Sequence, residues 1–276
     1  MKKVKTALVI FLLVPSVLIF GWGDKGHQTI TLFAMKLLPH QMKMNDDVAA
    51  AIIEHSVDPD HRKRGDKTEG PKHFIDIDFY KEFQDGRMVM SRDSLNKIYG
   101  EKVVTKEGIL PWATEETYKE LVEAFKEKNR DKIMLYASDL AHYVGDGYQP
   151  MHETVNYNGQ LTDQKGVHAR YESEMVDNYL DEIKSSFKKQ TPYYVKDVQA
   201  YIFDYIFESN SYLEVLLSAD KSAFENAGEK FANDYLRLLW FKTKYVTENQ
   251  FNSAALSLAS LIYSAWRDAG KPIVER

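Results

Sequence analysis

The 276-residue chain is 44% hydrophobic and 28% charged, contains no cysteine, and carries a formal net charge of −5 at pH 7. This length and apolar fraction are enough for a full core, which excludes a disordered or collagen-like chain. Without cysteine, a disulfide framework and a thiolate metal site are excluded, so any transition metal must be held by nitrogen and oxygen ligands. The negative charge disfavours non-specific polyanion binding unless bound metal changes the local field.

Residues 1–21 have the pattern of a secretory signal peptide. Three lysines precede the apolar run 7–20, and the small residue Gly21 follows it. The run is shorter than the ~20 apolar residues of a membrane span, which favours a cleaved signal over an uncleaved anchor. We therefore expect an exported protein, periplasmic or secreted, whose mature chain 22–276 begins at Trp22.

The mature chain predicts a single all-α domain. Apolar residues recur at helical spacing in five segments: 115–128, 130–146, 195–217, 225–247 and 251–268. Strand signals are weak, because the one short candidate, 73–78, has no evident partner. The polar stretches 57–72 and 153–167 indicate loops, and no Gly/Ser-rich linker divides the chain. The predicted fold class is all-α, with one multi-helix domain over 22–276.

The most informative segment runs from His142 to His152 and reads HYVGDGYQPMH. His142 and Asp146 are four residues apart on a helical pattern, so an imidazole and a carboxylate lie on one face and can share a metal. Pro150 ends the helix, which lets His152 point towards a second position. Such pairs are common on solvated helix faces, so one pair alone is weak evidence for a metal site.

A second pair follows the polar loop, since His168 and Glu172 are again four residues apart. Two pairs with an extra histidine between them can hold two zinc ions through nitrogen and oxygen alone. His73 lies in an apolar context that predicts burial, and His27 lies five residues after the predicted mature start. Five of the eight histidines can therefore belong to one cluster.

The predicted first residue of the mature chain, Trp22, has a chemical meaning of its own. A free α-amine has a pKa of about 7.7–8.0, so it can lose its proton and ligate zinc, and its carbonyl can complete a chelate ring. Cleavage of the signal peptide would then create part of the site.

Together these motifs resemble the zinc-dependent phospholipase C and single-strand-specific nuclease superfamily. The resembling segments, in the family's order, are WGDKGH at 22–27, Asp58 fifteen residues before HFID at 73–76, the segment 142–152, and HARYE at 168–172. The N-terminal motif is nearer the nuclease branch. The C-terminal third shows no motif and is similar only as generic helices.

The resemblance implies an all-helical fold with three zinc ions in a cleft. The ligands implied for the first ion are Asp58, His73, His142 and Asp146. Those implied for the second are His152, His168 and Glu172. A third ion would be bound by the amine and carbonyl of Trp22 and by His27, with Asp146 bridging to the first ion.

One ligand position is open between two carboxylates, because Asp60 lies close to Asp58 and is also plausible. The Ser-Val-Asp context and the fifteen-residue step to His73 favour Asp58. In the family pattern this carboxylate also orients the attacking water or accepts its proton, so Asp58 is the predicted catalytic residue. Simple metal ligation is the alternative role.

The resemblance further implies a phosphodiester hydrolase, for which the nuclease branch is favoured. Phe74 and Asp76 match positions that in nucleases help to receive a nucleobase, although Phe74 can equally be a core residue. The expected partners are single-stranded nucleic acid or nucleotides, cleaved by a monomeric endonuclease/3′-nucleotidase with no stable membrane span after processing.

Two residues depart from the nuclease pattern. Glu172 and Ser173 stand where nucleases usually carry Asp and Asn, and Glu is the phospholipase residue. The alternative function is therefore a phospholipase C that hydrolyses phosphatidylcholine-like lipids. A non-catalytic secreted zinc-binding domain, which keeps the ligands for stability alone, is the further alternative.

Overall fold

The structure is a computed structural model that describes residues 22–42, 44–228, 230 and 232–273. The predicted signal peptide, 1–21, lies outside the described residues. Within these ranges the regular secondary structure is entirely helical, with no β-strand, and the predicted all-α fold class is confirmed. No helix of the described part is long and apolar enough to cross a membrane.

The α-helices in chain order are α1 (Gly23–Leu37), α2 (Asp46–His55), α3 (Asp58–Arg62), α4 (Lys81–Gln84), α5 (Arg92–Tyr99), α6 (Glu101–Lys106), α7 (Leu110–Glu127), α8 (Arg130–Asp146), α9 (Val167–Ala169), α10 (Val176–Asn178), α11 (Leu180–Ser185), α12 (Val198–Asn210), α13 (Leu213–Ala227) and α14 (Asn233–Asp268). Short 3-10 turns form at His40–Met42, Gly70–His73, Ile77–Phe79 and Pro150–His152, and a π-helical turn forms at Arg170–Met175.

The long helix α14 is the axis against which much of the fold packs. In its first half the buried residues recur three or four apart, as an amphipathic helix requires, while from Ala254 to Trp266 almost every position is buried. Many of these later residues are alanine or serine, so neighbouring helices can approach closely. Helices α1, α7, α8 and α13 all contact α14, which places the core along its length.

Three of the predicted helical segments divide differently in the structure. Most of the segment 225–247 merges with 251–268 into α14, because no glycine or proline separates them within that helix. The segment 195–217 instead contains all of α12 and the start of α13. Gly228, with a φ of 73°, ends α13 and supplies the break that the periodicity missed.

The predicted loops are partly ordered into helical turns. The stretch 57–72 contains α3 and most of a 3-10 turn, whereas 153–167 remains a succession of turns up to the start of α9. Residues 73–78, the weak strand candidate, link two 3-10 turns through extended backbone at Phe74. Its Ile75 amide donates to the carbonyl of His152, so this segment lies against the end of the 142–152 motif.

Candidate metal centre

Helix α8 contributes two side chains from its buried last turn. The Nε2 atom of His142 lies 3.2 Å from a carboxylate oxygen of Asp146, and both residues are fully buried. The Nδ1 atom of His142 lies 2.8 Å from the carbonyl oxygen of Ser56, to which it donates a hydrogen bond when it carries the ring proton. Such a donor fixes the ring orientation and leaves the Nε2 lone pair facing Asp146, as in histidines that ligate metals.

The 3-10 turn at Gly70–His73 brings a second histidine to the same carboxylate. The Nδ1 atom of His73 lies 2.9 Å from Asp146 Oδ2 and 2.9 Å from His142 Nε2. The two ring nitrogens therefore meet at one carboxylate. A shared proton or a shared metal ion can hold two imidazole nitrogens at this distance.

A second group forms where the Pro150–His152 turn meets the α9 segment. His168 Nε2 lies 3.1 Å from His152 Nε2 and 2.7 Å from a carboxylate oxygen of Glu172. The opposite ring nitrogens face backbone carbonyls, with His152 Nδ1 2.6 Å from the carbonyl of His73 and His168 Nδ1 2.9 Å from that of Tyr157. Both Nε2 atoms are thereby oriented towards Glu172.

His27, on α1, completes the cluster from the other side. Its ring stacks on that of His142 with 4.0 Å between centroids, and its Nε2 atom lies 3.5 Å from Asp146. This approach requires a glycine at position 145, because a Cβ there would lie 2.7 Å from His27 Nδ1. Gly145 is thus a functional position that the sequence analysis missed.

Trp22, the first described residue, lies next to the same cluster. Its indole is fully buried and donates a 2.8 Å hydrogen bond to the carbonyl of Gly145, the residue before Asp146. The next residue, Gly23, lies beside Ser173, which follows Glu172: a Cβ on Gly23 would be 3.5 Å from the Ser173 hydroxyl. The structure therefore places the start of the predicted mature chain next to both ligand-bearing segments.

Of the two neighbouring aspartates, the structure places Asp60, and not the predicted Asp58, at the cluster. Asp58 is about half exposed, with 45% of its side-chain surface accessible, and it pairs with His55 at 2.9 Å. Asp60 is 1% exposed, and its Oδ1 atom lies 3.5 Å from both His73 Nδ1 and His142 Nε2. Residues two apart on a helix point about 200° apart, so only one of the two can face α8.

Three histidines lie outside this cluster, and the two predicted substrate-binding residues follow His73 in the chain. His40, His55 and His61 are exposed. Phe74 and Asp76 are half-buried on the segment that follows His73. Burial, together with Glu107 and Asp78, raises the pKa of the Asp76 carboxyl to about 7.

The polar atoms of the cluster fit a divalent metal. Three sets of side chains bring their ligand atoms within 4.8 Å of one another: His27, Asp60 and His142; His73, His142 and Asp146; and His152, His168 and Glu172. Several of these buried atoms have no hydrogen-bond partner, namely both ring nitrogens of His27, Oδ2 of Asp60, one oxygen of Asp146 and Nε2 of His73. Burying such groups without partners is costly, and metal coordination removes that cost.

The electrostatics of the cluster favour a positive charge at its centre. Burial lowers the pKa of His142, but Asp146 and Asp60 outweigh burial and raise that pKa to about 10. Burial, followed by the influence of His142, lowers the pKa of His27. The buried carboxylates thus favour a positive charge at this position, which either a proton on His142 or a metal cation ligated by its neutral ring can supply.

Glu69 supports the cluster from behind and was not anticipated. Its carboxylate is buried, accepts hydrogen bonds from Tyr143, Arg62 and Lys72, and lies 3.6 Å from His73 Nε2. A carboxylate on the far side of a ligating histidine orients the ring and increases its basicity. Since Glu69 and His73 are four residues apart, the same spacing rule that found the other pairs could have identified it.

Comparison with known proteins locates the fold but not a close relative. No protein-family model matches the sequence, and no curated protein matches it. Among solved structures the chain matches alpha toxin from Clostridium absonum, with a TM-score of 0.56, 13% sequence identity and coverage of 92% of this chain and 66% of that chain. The match thus spans just under two thirds of the toxin. At this identity the likeness shows a shared fold and nothing further.

Replacement of Gly145 by alanine tests whether His27 belongs to the metal site. The added methyl would meet His27 Nδ1 at 2.7 Å, so we expect the purified variant to contain less bound metal than the wild type, measured by metal analysis. Gly147→Ala is the matched control, because its methyl would meet Tyr205 at 2.6 Å instead of a histidine. Equal zinc content in both variants and the wild type would exclude His27 as a ligand.

Proposed function

We propose that this chain is an exported, zinc-dependent phosphodiester hydrolase, and that its substrate is single-stranded nucleic acid or a nucleotide, cleaved as by an endonuclease/3′-nucleotidase. The observation that carries the proposal is the convergence of three buried histidine–carboxylate groups, each with its ligand atoms within 4.8 Å of one another. The fold shared with alpha toxin agrees with the resemblance that motivates the proposal.

The proposed ligands follow the sequence prediction with one replacement. One ion would be held by Asp60, instead of Asp58, with His73, His142 and Asp146. A second would be held by His152, His168 and Glu172, and a third by His27 and the amine and carbonyl of Trp22, with Asp146 shared between the first and third sites. The amine becomes available only when a signal peptide is removed. A mature chain that begins at Trp22 is therefore part of the proposal.

Zinc held in such a site supplies Lewis acidity, lowers the pKa of water and offsets the charge of a phosphodiester. The chain's own residues hold that site rigid, because the carbonyls of Ser56, His73 and Tyr157 fix three imidazole rings. Burial of the carboxylates strengthens their attraction for bound cations, since the low-dielectric interior screens charge weakly.

Asp60 is the proposed catalytic residue. Its carboxylate is buried at the edge of the cluster, where it can orient the attacking water and accept its proton. The ammonium group of Lys63 lies 2.5 Å from Asp60 Oδ1. His142, together with this positive charge, holds the pKa of Asp60 well below its usual range despite burial, so the carboxylate is ionised and can accept a hydrogen bond from the attacking water.

Phe74 and Asp76 support the choice of a nucleic-acid substrate. An aromatic face beside a carboxylate suits stacking and hydrogen bonding of a nucleobase. Both side chains are half-buried and follow the ligand His73 directly, so a base seated there would place its phosphate near the cluster. Glu172 is the observation that favours the second candidate, a phospholipase C acting on phosphatidylcholine-like lipids.

Parallel substitution of the two neighbouring aspartates tests the catalytic assignment. We expect Asp60→Asn to lower kcat by at least about 100-fold, because a general base typically contributes 10²–10⁴-fold. Asp58→Asn should change kcat less than about twofold, since Asp58 is exposed and faces His55. Zinc content measured beside the kinetics separates the roles: if Asp60→Asn loses zinc and activity in equal proportion, Asp60 is a ligand and not a base.

A side-by-side assay of four substrates tests the substrate class. Mature protein is incubated with single-stranded DNA, RNA, a 3′-mononucleotide and phosphatidylcholine, with zinc present and after chelation. We expect hydrolysis of at least one nucleic-acid substrate and none after chelation. Turnover of phosphatidylcholine alone would replace the nuclease by the phospholipase, and no turnover of any substrate, or of bis(p-nitrophenyl) phosphate, would leave a non-catalytic zinc-binding domain.

The raised pKa of Asp76 predicts pH-dependent base recognition. Since that pKa is about 7, the carboxylate ionises and gains acceptor capacity as the pH rises through 7, and KM for a 3′-mononucleotide should fall over that interval. KM for bis(p-nitrophenyl) phosphate, which has no nucleobase, serves as the reference for metal-linked effects. Asp76→Asn should remove the difference between the two substrates, and an unchanged difference would exclude Asp76 from base recognition.

A further inference from the structure

A fully buried ion pair joins the α9 segment to the C-terminal third of the chain. The guanidinium of Arg170 donates from Nη2 and Nε to Asp220 Oδ1 at 2.7 and 2.9 Å, and the two residues are 1% and 0% exposed. The same guanidinium donates to the carbonyls of Gln164 and Lys165, each at 3.0 Å. Arg170 thus connects the end of the 153–167 loop with α13.

The carboxylate of Asp220 is fully hydrogen-bonded in turn. The Tyr235 hydroxyl, on α14, donates to its Oδ1 atom, and the Gln164 side-chain amide donates to its Oδ2 atom at 2.8 Å. Arg170 Nε also lies 2.9 Å from the Tyr235 hydroxyl. All four side chains are buried, and replacing such an ion pair by apolar residues is often neutral for stability. The role of this ion pair therefore lies in the geometry that it imposes on the segments it joins.

That geometry concerns the second metal group. Arg170 lies midway between His168 and Glu172 and is the first residue of the π-helical turn Arg170–Met175. Such turns are rare and occur frequently at functional sites. They persist where tertiary contacts compensate for the lost α-helical hydrogen-bond pattern. Here those contacts come from α14 as well, where Thr247 bonds the hydroxyl of Tyr171 at 3.0 Å.

The loop carbonyls that Arg170 binds also affect the second metal group. The loop also provides the Tyr157 carbonyl, which faces His168 Nδ1 at 2.9 Å. By holding Gln164 and Lys165, the guanidinium fixes the loop relative to the turn that carries His168. Both the position of Glu172 and the orientation of His168 therefore depend on contacts made by Arg170.

We propose that Arg170 and Asp220 are positioning residues for the His152–His168–Glu172 metal site, and that Tyr235 completes this clamp. The inference rests on the proposed zinc chemistry, which it deepens by assigning a role to the part of the chain that shows no motif. The role proposed for this clamp is to set the metal affinity of that site, separately from any contribution to folding.

Zinc binding by variants of the mature protein tests this inference. Arg170→Lys keeps the charge but cannot donate to Asp220 and two carbonyls at once. We expect it to weaken the affinity for one of the bound ions by about 10- to 100-fold, as is usual when a residue behind a ligand is changed. Tyr235→Phe keeps the ion pair and should weaken the binding of the same ion by a smaller but measurable factor. Affinities come from competition with a chelator, and Co²⁺ spectra report the ligand geometry.

Tyr118→Phe provides the matched control. It removes a 2.6 Å hydroxyl–carboxylate hydrogen bond between α7 and Asp268 at the far end of α14, away from the ligands. We expect it to lower the Tm of the metal-free protein without changing zinc affinity or the Co²⁺ spectrum. A clamp with a purely structural role would make Tyr235→Phe behave in the same way.

The outcomes distinguish the inference from the function on which it rests. If the wild type binds zinc and Arg170→Lys binds it equally well, the positioning role is overturned while the metal site stands. If Arg170→Lys does not fold, Tyr235→Phe decides, and unchanged affinity and spectrum overturn the inference. If the wild type itself binds no metal, the proposed function fails first.

Discussion

The structure depends on one unfavourable arrangement, the burial of Asp146 among imidazole rings. Its carboxylate is fully buried and lies within 3.5 Å of nitrogen atoms of His27, His73, His142 and His152. Desolvating a carboxylate is costly unless cations or hydrogen-bond donors surround it. Four separate chain segments supply those partners, so the site and the tertiary fold require each other.

The surrounding helices accommodate this arrangement, in one case at a cost to local helix stability. Gly145 on α8 is unfavourable for helix propensity, yet it allows His27 to approach. Backbone carbonyls face the outer nitrogens of three histidines, and Glu69 lies behind a fourth. The ring orientations are therefore set by groups that never reach the cluster, which is how a protein holds several ligands in one geometry.

The C-terminal third contributes to the site through packing against the segments that carry its side chains. Helices α13 and α14 contribute none of the clustered side chains, but they hold the turn that carries Glu172 and the indole of Trp22, which packs on Phe251 with 4.8 Å between centroids. A segment without motifs can therefore determine the precision of a site built entirely by the first two thirds of the chain. The buried clamp around Arg170 is the clearest example.

The sequence by itself determined the helical class and most of the cluster, because a histidine and an acid four residues apart share a helix face wherever the helix lies. It favoured Asp58 over Asp60 by the fifteen-residue step to His73, whereas the packing of α3 against α8 buries Asp60 instead. It also missed the continuity of α14, Gly145 and the Arg170–Asp220 pair. These features depend on contacts between residues far apart in the chain, and periodicity carries no information about such contacts.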